Sequence, residues 1–347
     1  MGEEAVELRE SRKQRGAFFT PDPIARFIAR WAVRSPRDTV LEPSTGEAVF
    51  LLRAGDAVRD LGGEVLPGQL SGTDIHADSV ERARRFLATA GIEADLRTGD
   101  FFDLCPAHPV DAVIGNPPYI RYQDFTGPAR VRAREAAFRA GVRLSALASS
   151  WAAFTVHAST LLAPGGRMGL VLPAELLSVN YAAPVRAYLL SHFSDVRLVL
   201  FSERVFPGVQ EEVVLLLAEG YHPQGPGTDH FDLVQVADAQ QLASGIAYRS
   251  WAPPSPADKW TTALALSPAF AEVTSAPSSS RLGEWGRLAL GAVTGSNRFF
   301  ALSPQRAREL GLARRDVVAL CPPGSRHLRA LRLTRADLRH LGDQGSP

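Results

Sequence analysis

The sequence predicts an α/β fold with a doubly wound, mostly parallel sheet. Strand-like and helix-like patterns alternate along residues 38–192. Of the strand candidates, those at 38–43 and 110–116 read as short buried strands. An acid or an asparagine stands at the carboxyl end of each of the first four, where ligands bind in such sheets. A chain of 347 residues that is 45% hydrophobic is long enough for such a core and an appendage.

The first half of the predicted sheet comes from four short strands. Before them, residues 21–32 repeat apolar side chains at helical spacing, with Thr20 as the predicted N-cap and Pro21 as the first helical residue. The strands are predicted at 38–43, 69–75, 93–100 and 110–116. Helices are predicted from Glu47 and over 78–91, after the first two strands.

The second half of the predicted sheet changes direction at its end. A long helix is predicted over 145–162, a fifth strand over 167–173 and another helix over 174–192. Two more strands are predicted at 196–201 and 211–219. Their connection is too short for a helical crossover, so we expect this pair to be antiparallel.

Composition divides the chain into three parts. Residues 1–220 hold the alternating pattern, and residues 221–280 are rich in Pro, Gly and Ser, which predicts a linker with one short strand. Residues 281–347 resume ordered patterning and are predicted to begin with strands and a Gly turn. This last part has twelve arginines and five acidic residues, although the whole chain has a net charge of only +1. Such asymmetry is typical of a segment that meets a polyanion.

Several classes of protein are excluded by composition. Two cysteines, Cys105 and Cys321, are too few for a disulfide framework or a four-cysteine zinc site. We find no group of His, Cys and Asp with metal-ligand spacing, so no metal is expected. No apolar run approaches the ~20 residues of a membrane helix, and the charged N-terminus lacks the apolar region of a secretion signal. We therefore expect a cytoplasmic protein with no membrane partner.

The first strand-to-helix turn, residues 42–46 (EPSTG), favours a neutral or cationic ligand. A dinucleotide phosphate would need further glycines where Ala48 and Val49 stand. An acid at the strand end, Glu42, would also repel a pyrophosphate. The alternative is an ordinary turn between a strand and a helix.

Acids after the second and third strands extend this site. Asp74 is placed to accept both hydroxyls of a ribose, although it could instead cap a helix. Asp100 could accept from an adenine amino group, with Phe101 against the ring, or could be a simple turn residue. Three acids after three consecutive strands together outline a pocket for an adenosine that carries a positive centre.

The most specific motif is NPPY at residues 116–119, directly after the fourth strand. Two consecutive prolines fix an extended segment and donate no N–H, so nearby carbonyls face outward as acceptors. Asn116 adds a side-chain carbonyl and Tyr119 adds a flat face. This set can hold a planar amide or an aromatic amine, although a rigid loop without such a role would look similar.

With GAFFTP at residues 16–21, these motifs resemble the N6-adenine DNA methyltransferases of the NPPY type, which depend on S-adenosyl-L-methionine and occur in restriction–modification systems. The resemblance extends to about residue 219 and resumes over 281–341. It implies a Rossmann-like class I methyltransferase sheet, a cofactor-binding catalytic domain over 1–220 and the start of a DNA target-recognition domain over 281–347. It implies double-stranded DNA as a partner and leaves open a specificity or restriction partner.

The resemblance also implies roles for individual residues. The residues that would contact the cofactor are Thr20, Glu42, Ser44, Gly46, Asp74, Asp100 and Phe101. The residues that would bind the target base are Asn116, Pro117, Pro118 and Tyr119, with Phe206 as a second stacking ring. Ala48 departs from the family by replacing a common second glycine, which is tolerable if the backbone there need not take a positive φ.

Three alternatives remain open from the sequence. A protein-glutamine methylase uses the same NPPY grip on an amide, but its first motif is usually richer in glycine and it would need neither GAFFTP nor the basic tail. An RNA-base methylase is a second alternative. A third is a catalytically idle module that docks DNA or a partner, which the intact motifs argue against and the short tail favours.

Overall fold

The computed structural model describes residues 20–105, 108–203, 205–206, 212–243, 247–264, 280, 282–286, 297–318, 334, 336 and 339–340. The chain divides into two compact units, Met1–Phe270 and Ala271–Pro347. The candidate site lies entirely in the first unit.

One nine-stranded sheet, among the described residues, organises the first unit. Its strands are β1 Val40–Pro43, β2 Leu70–Asp74, β3 Asp95–Thr98, β4 Val110–Gly115, β5 Leu162–Pro173, β6 Phe193–Phe201, β7 Val213–Tyr221, β8 Phe231–Val236 and β9 Arg249–Trp251. Their spatial order is β3-β2-β1-β4-β5-β7-β6-β8-β9. Strands β1 to β5 pair in parallel, and β7 is antiparallel to both β5 and β6. The predicted fold class is thereby confirmed, including the antiparallel strand.

Helices cover the sheet. Those of the first unit are α1 Asp22–Ala32, α2 Val49–Asp60, α3 Ala77–Thr89, α4 Gly127–Arg139, α5 Ser150–Ser159, α6 Glu175–Ser178 and α7 Ala183–His192. Short 3-10 helices occur at Phe101–Asp103, Asn180–Ala182, Gln241–Ala243 and Trp260–Leu264. The predicted helix over 174–192 is therefore broken into three pieces. The helix predicted over 145–162 is the shorter α5.

Helix α4 is absent from the sequence-based prediction. Its sequence is rich in arginine, and its buried residues are only Ala133, Ala136 and Ala137. Alanine makes a weak apolar stripe, so hydrophobic periodicity did not reveal this helix. It lies between the NPPY motif and α5, and it packs on α5.

The sheet continues into the predicted linker. Strand β8 pairs in parallel with β6, and β9 pairs antiparallel with β8. The first compact unit, which extends to Phe270, includes both of these strands. Pro, Gly and Ser around these strands concealed their place in the sheet, because such residues also mark turns between short strands.

In the second unit, short helices are found at described residues for which strands were predicted. Helices α8 Leu282–Trp285 and α9 Asn297–Phe300 fall in the segment that was expected to form strands and a Gly turn. That expectation is wrong for these residues, whereas residues 287–296 lie outside the described part of the chain. Helix α10 Pro304–Glu309 follows, with Ser303 capping its N-terminus.

Candidate active site

A cavity of about 480 Å³ opens at the carboxyl ends of the parallel strands. This volume lies within the ~300–1,000 Å³ of small-molecule sites. The predicted residues on its wall are Thr20, Glu42, Ser44, Gly46, Asp74, Asp100, Phe101, Asn116 and Pro118. Residues from four strand ends and from the N-terminal motif therefore meet at one site.

The turn between β1 and α2 has an unusual backbone. Ser44, Gly46 and Ala48 all have positive φ, at 59°, 51° and 59°. The condition under which alanine would be tolerable at 48 is therefore not met. A left-handed conformation costs a non-glycine residue roughly 1–2 kcal/mol, so this turn holds strain at the site where a ligand would approach.

Glu42 is a buried acid on the cavity wall, only 2% exposed. Its carboxylate accepts from the Leu51 N–H at 3.0 Å, in the first turn of α2. Burial raises the pKa of Glu42 well above its ordinary value, and the hydrogen bonds from Leu51 and Phe50 lower that pKa only in part. The negative charge of Asp74 raises it further. A cation bound nearby would favour the ionised form.

Asp74, at the end of β2, ties two loops together. One carboxylate oxygen accepts from the Gly46 N–H and the other from the His76 N–H, both at 2.9 Å. The N-cap of α3 is His76, without a side-chain cap, so Asp74 does not cap that helix. Each carboxylate oxygen has a second lone pair, which leaves capacity for further hydroxyl donors.

Asp100 receives a partner that the sequence did not predict. One of its oxygens accepts from the Phe102 N–H at 3.0 Å. The other accepts from Arg132 of α4, whose Nε and Nη2 atoms lie 3.0 and 2.7 Å away. Arg132 was missed because its helix was not predicted. Asp100 is thus both a turn residue and part of the cavity wall.

Phe101 belongs to an aromatic cluster beside Asp100. Its ring stacks on Phe154 of α5 at 4.1 Å, and the His157 ring meets it edge-on at 4.8 Å. His157 Nε2 lies 3.1 Å from the Phe101 carbonyl oxygen. Burial lowers the pKa of His157, which favours a neutral ring that donates to this carbonyl. The cluster fixes the Phe101 ring at the cavity wall.

Asn116 and Thr20 join the two ends of the predicted motif set. The Asn116 Nδ2 atom donates to Thr20 Oγ1 at 3.2 Å, across 96 positions of sequence. Thr20 was expected to cap α1, but the N-cap of that helix is Pro21, with no side-chain cap. The threonine hydroxyl instead accepts from the asparagine amide, which orients that amide.

Three predicted base-contacting residues are not on the cavity wall. Pro117 is buried, and Tyr119 is also buried, with its hydroxyl donating to the Val171 carbonyl of β5 at 2.9 Å. Phe206 is buried as well. The loop around it, at 204 and 207–211, lies outside the described residues. The stacking roles of Tyr119 and Phe206 remain predictions.

The described residues also bear on metal binding and on membrane insertion. In that part of the chain, no cluster of three or more His, Cys, Asp or Glu side chains could hold a metal ion. None of the described helices is both long enough and apolar enough to cross a membrane.

Comparison with known families gives two matches along the chain. The sequence model of the family described as N-6 DNA Methylase matches residues 7–244. A second, described as Type II methyltransferase M.Eco57I, C-terminal domain, matches residues 257–347.

Curated relatives are similar over part of their length. Type II methyltransferase M.XamI from Xanthomonas campestris pv. amaranthicola is 29% identical over 56% of this chain and 37% of its own. Type II methyltransferase M.HincII from Haemophilus influenzae is 23% identical over 68% of this chain and 43% of its own. The chain thus spans about two fifths of the length of these relatives.

Solved structures share the fold. A nuclease-deletion mutant of the Type ISP restriction-modification enzyme LlaGI, in complex with a DNA substrate mimic, superposes with a TM-score of 0.58 and 16% identity over 70% of this chain and 31% of its own. A putative class I S-adenosylmethionine-dependent methyltransferase from Listeria monocytogenes superposes with a TM-score of 0.51 and 17% identity, over 65% of this chain and 68% of its own.

Proposed function

The chain belongs to the N-6 DNA methylase family, and from that membership we propose that it transfers a methyl group from S-adenosyl-L-methionine to the N6 amino group of an adenine in double-stranded DNA. We further propose that this is the modification activity of a restriction–modification system. The observation that carries the proposal is the hydrogen bond between Asn116 and Thr20. It joins the NPPY motif to the cavity that the three acids line.

The donors around the cavity suit this cofactor. Glu42 would face its cationic methionine end, Asp74 would accept from the ribose hydroxyls, and Asp100 with Phe101 would hold the adenine. When bound, the cofactor supplies an electrophilic methyl group on a sulfonium. Ionisation of Glu42 is favoured by that positive charge, which offsets part of the cost of burying a carboxylate.

On the target side, acceptors would activate the amine. The N6 lone pair of adenine is delocalised into the ring and is weakly nucleophilic. The Asn116 Oδ1 atom and the Pro117 carbonyl would accept its two N–H groups and favour a more pyramidal nitrogen. The bond from Asn116 Nδ2 to Thr20 supports this role, because it sets which edge of the amide donates. Acceleration then comes from in-line positioning and electrostatics.

The target adenine must leave the duplex to reach this site. Extruding a base costs a few kcal/mol, and stacking returns ~1–3 kcal/mol per contact. We propose Tyr119 and Phe206 as the stacking rings.

The test is a methyl-transfer panel with radiolabelled cofactor and three acceptors, namely duplex DNA, RNA and protein. Transfer to adenine N6 in DNA is expected, and Asn116→Ala should lower turnover by ~100-fold or more while the cofactor Kd stays near the wild-type value. Asn180→Ala, at an exposed asparagine away from the cavity wall, is the matched control. Transfer to RNA or to protein glutamine would replace this proposal with one of those activities. Cofactor binding without any transfer would favour a docking module.

A further inference from the structure

Ser150, the first residue of α5, makes an unusual set of contacts with the NPPY segment. Its side chain is 2% exposed and lies on the cavity wall. The Ser150 hydroxyl donates to the Pro118 carbonyl and accepts from the Ile120 N–H at 2.9 Å. The Ser150 backbone N–H donates to the Ile120 carbonyl at 3.0 Å. One residue therefore binds the backbone on both sides of Tyr119.

These bonds matter because the motif has few donors of its own. Pro117 and Pro118 have no N–H, so this stretch of backbone needs partners from elsewhere in the fold. The Tyr119 ring is held separately by the bond from its hydroxyl to Val171. Ser150 and β5 thus hold the backbone and the ring of the same residue from two elements.

We propose that Ser150 is a positioning residue for methyl transfer. Its hydroxyl fixes the peptide groups of Pro118 and Ile120, and through them the backbone that carries Asn116 and Tyr119. The expected effect on the rate of methyl transfer rests on the proposed function. It gives α5 a role in setting the geometry of the target-base subsite, beyond its contribution to the core.

A second set of hydrogen bonds keeps the start of α5 in place. Trp151 Nε1 donates to the Tyr181 hydroxyl at 3.1 Å, and that hydroxyl donates to Glu175 Oε2 at 2.5 Å. Burial raises the pKa of Tyr181, so the hydroxyl remains a donor. Glu175 stands two residues after the end of β5. Removing the Ser150 hydroxyl therefore releases the NPPY backbone and leaves the helix anchored.

Ser150→Ala is the test variant, and Ser159→Ala is its matched control. Ser159 lies on the same helix, is fully buried, and its hydroxyl also bonds a backbone carbonyl, that of Val156, at 2.7 Å. Ser150→Ala is expected to lower kcat by about tenfold, with KM for DNA and the cofactor Kd close to wild type. Ser159→Ala should leave kcat unchanged, and Ser150→Thr, which keeps the hydroxyl, should recover most of the turnover.

Amide hydrogen exchange gives a readout that is independent of activity. In the full chain without DNA, Ser150→Ala should speed exchange at the Ile120 N–H by about tenfold, and Ser159→Ala should not. Unchanged exchange at Ile120, or faster exchange with unchanged kcat, overturns the proposal. If the wild type transfers no methyl to DNA, the proposed function fails, and exchange at Ile120 alone decides whether Ser150 holds the segment.

Discussion

Glu42 links the burial of one carboxyl group to the pH dependence of the whole protein. Its pKa is raised in the folded state, chiefly by burial. The stabilisation it contributes is therefore fully present below the unfolded-state pKa of about 4.3 and is lost as pH rises through the higher folded-state pKa. Each unit of such a shift corresponds to about 1.4 kcal/mol.

Glu42→Gln is expected to flatten that dependence. Glutamine keeps an acceptor for the Leu51 N–H without a titrating group, so the variant should gain stability relative to wild type as pH rises from 5 to 8. Urea unfolding of both proteins across this range measures the difference. If the free energies of unfolding of wild type and Glu42→Gln change with pH in parallel, the pKa of Glu42 is not raised in the folded state.

Asp74→Ala should weaken cofactor binding by ~1–3 kcal/mol, through the loss of a charged acceptor for two hydroxyls. The change also frees the N–H groups of Gly46 and His76, so Asp74→Asn, which keeps one acceptor oxygen, should lose less. Calorimetry with S-adenosyl-L-methionine measures both. Asp95→Ala, which breaks only an exposed pair with Arg97, is the control. An unchanged affinity in Asp74→Ala would move the cofactor subsite elsewhere.

At this scale, the sequence identified residues that stand at strand ends. Glu42, Asp74 and Asn116 could be found because each stands at or just after the end of a strand that the alternating pattern predicts. Arg132 and Ser150 could not, because their contacts depend on where α4 and α5 pack. No local signal near Ser150 points to a proline carbonyl thirty-two positions away.

At the scale of elements, the turn after β1 rests on β2 without spare room. A Cβ atom added at Gly72 would collide with the Thr45 methyl group and lie 3.0 Å from the Glu42 carbonyl. The same turn holds the positive φ of Ser44 and Ala48, and strained backbone persists only where its surroundings hold it. Strand β2 therefore supports the turn between β1 and α2 directly.

Gly72→Ala is expected to destabilise the protein by ~1–3 kcal/mol, as overpacking typically does. It should also weaken cofactor binding, because the displaced turn carries Ser44 and Gly46. Gly286→Ala, where an added Cβ meets nothing within 4 Å, is the matched control. Denaturant unfolding and cofactor titration of both variants test this. If Gly72→Ala is destabilised but binds the cofactor with wild-type affinity, the packing of β2 against the turn does not affect the cofactor site.

Elements with strong apolar patterns were predicted well, and those without were not. Strands β1, β2 and β4 each fall within predicted ranges, because their runs are buried and bounded by turns. Helix α4 and strand β9 were missed because neither has an apolar pattern of its own: α4 buries only alanines, and two of the three residues of β9 are exposed.

For the whole molecule, positive charge is concentrated in the C-terminal part of the chain. Residues 281–347, with twelve arginines and five acids, carry a formal charge of +7. We propose that this part contacts the DNA backbone as a partial recognition domain. Phosphate contacts position a protein but carry no sequence information, so we expect weak binding with little sequence preference. A specificity or restriction subunit is the partner we propose for the rest of the recognition.

Deleting residues 281–347 should flatten the slope of log affinity against log salt. Each lost phosphate contact reduces the slope by ~0.9, because fewer counterions are released. Titrations of duplex DNA at several salt concentrations measure it. Cofactor affinity is the internal control, since the described residues of the cavity wall lie within 20–154. An unchanged slope, or tight site-specific methylation by this chain alone, would contradict the role of the tail.

The position of the cavity wall also bears on how the protein is made. Among the described residues, those that line the cavity lie between Thr20 and Phe154, so a ribosome has synthesised this part of the wall before β5 begins at Leu162. Strand β4 pairs with β1 on one side and with β5 on the other. During that interval the nascent chain exposes one edge of β4, which invites pairing with foreign strands. The next segment to emerge, β5, is the one that covers it.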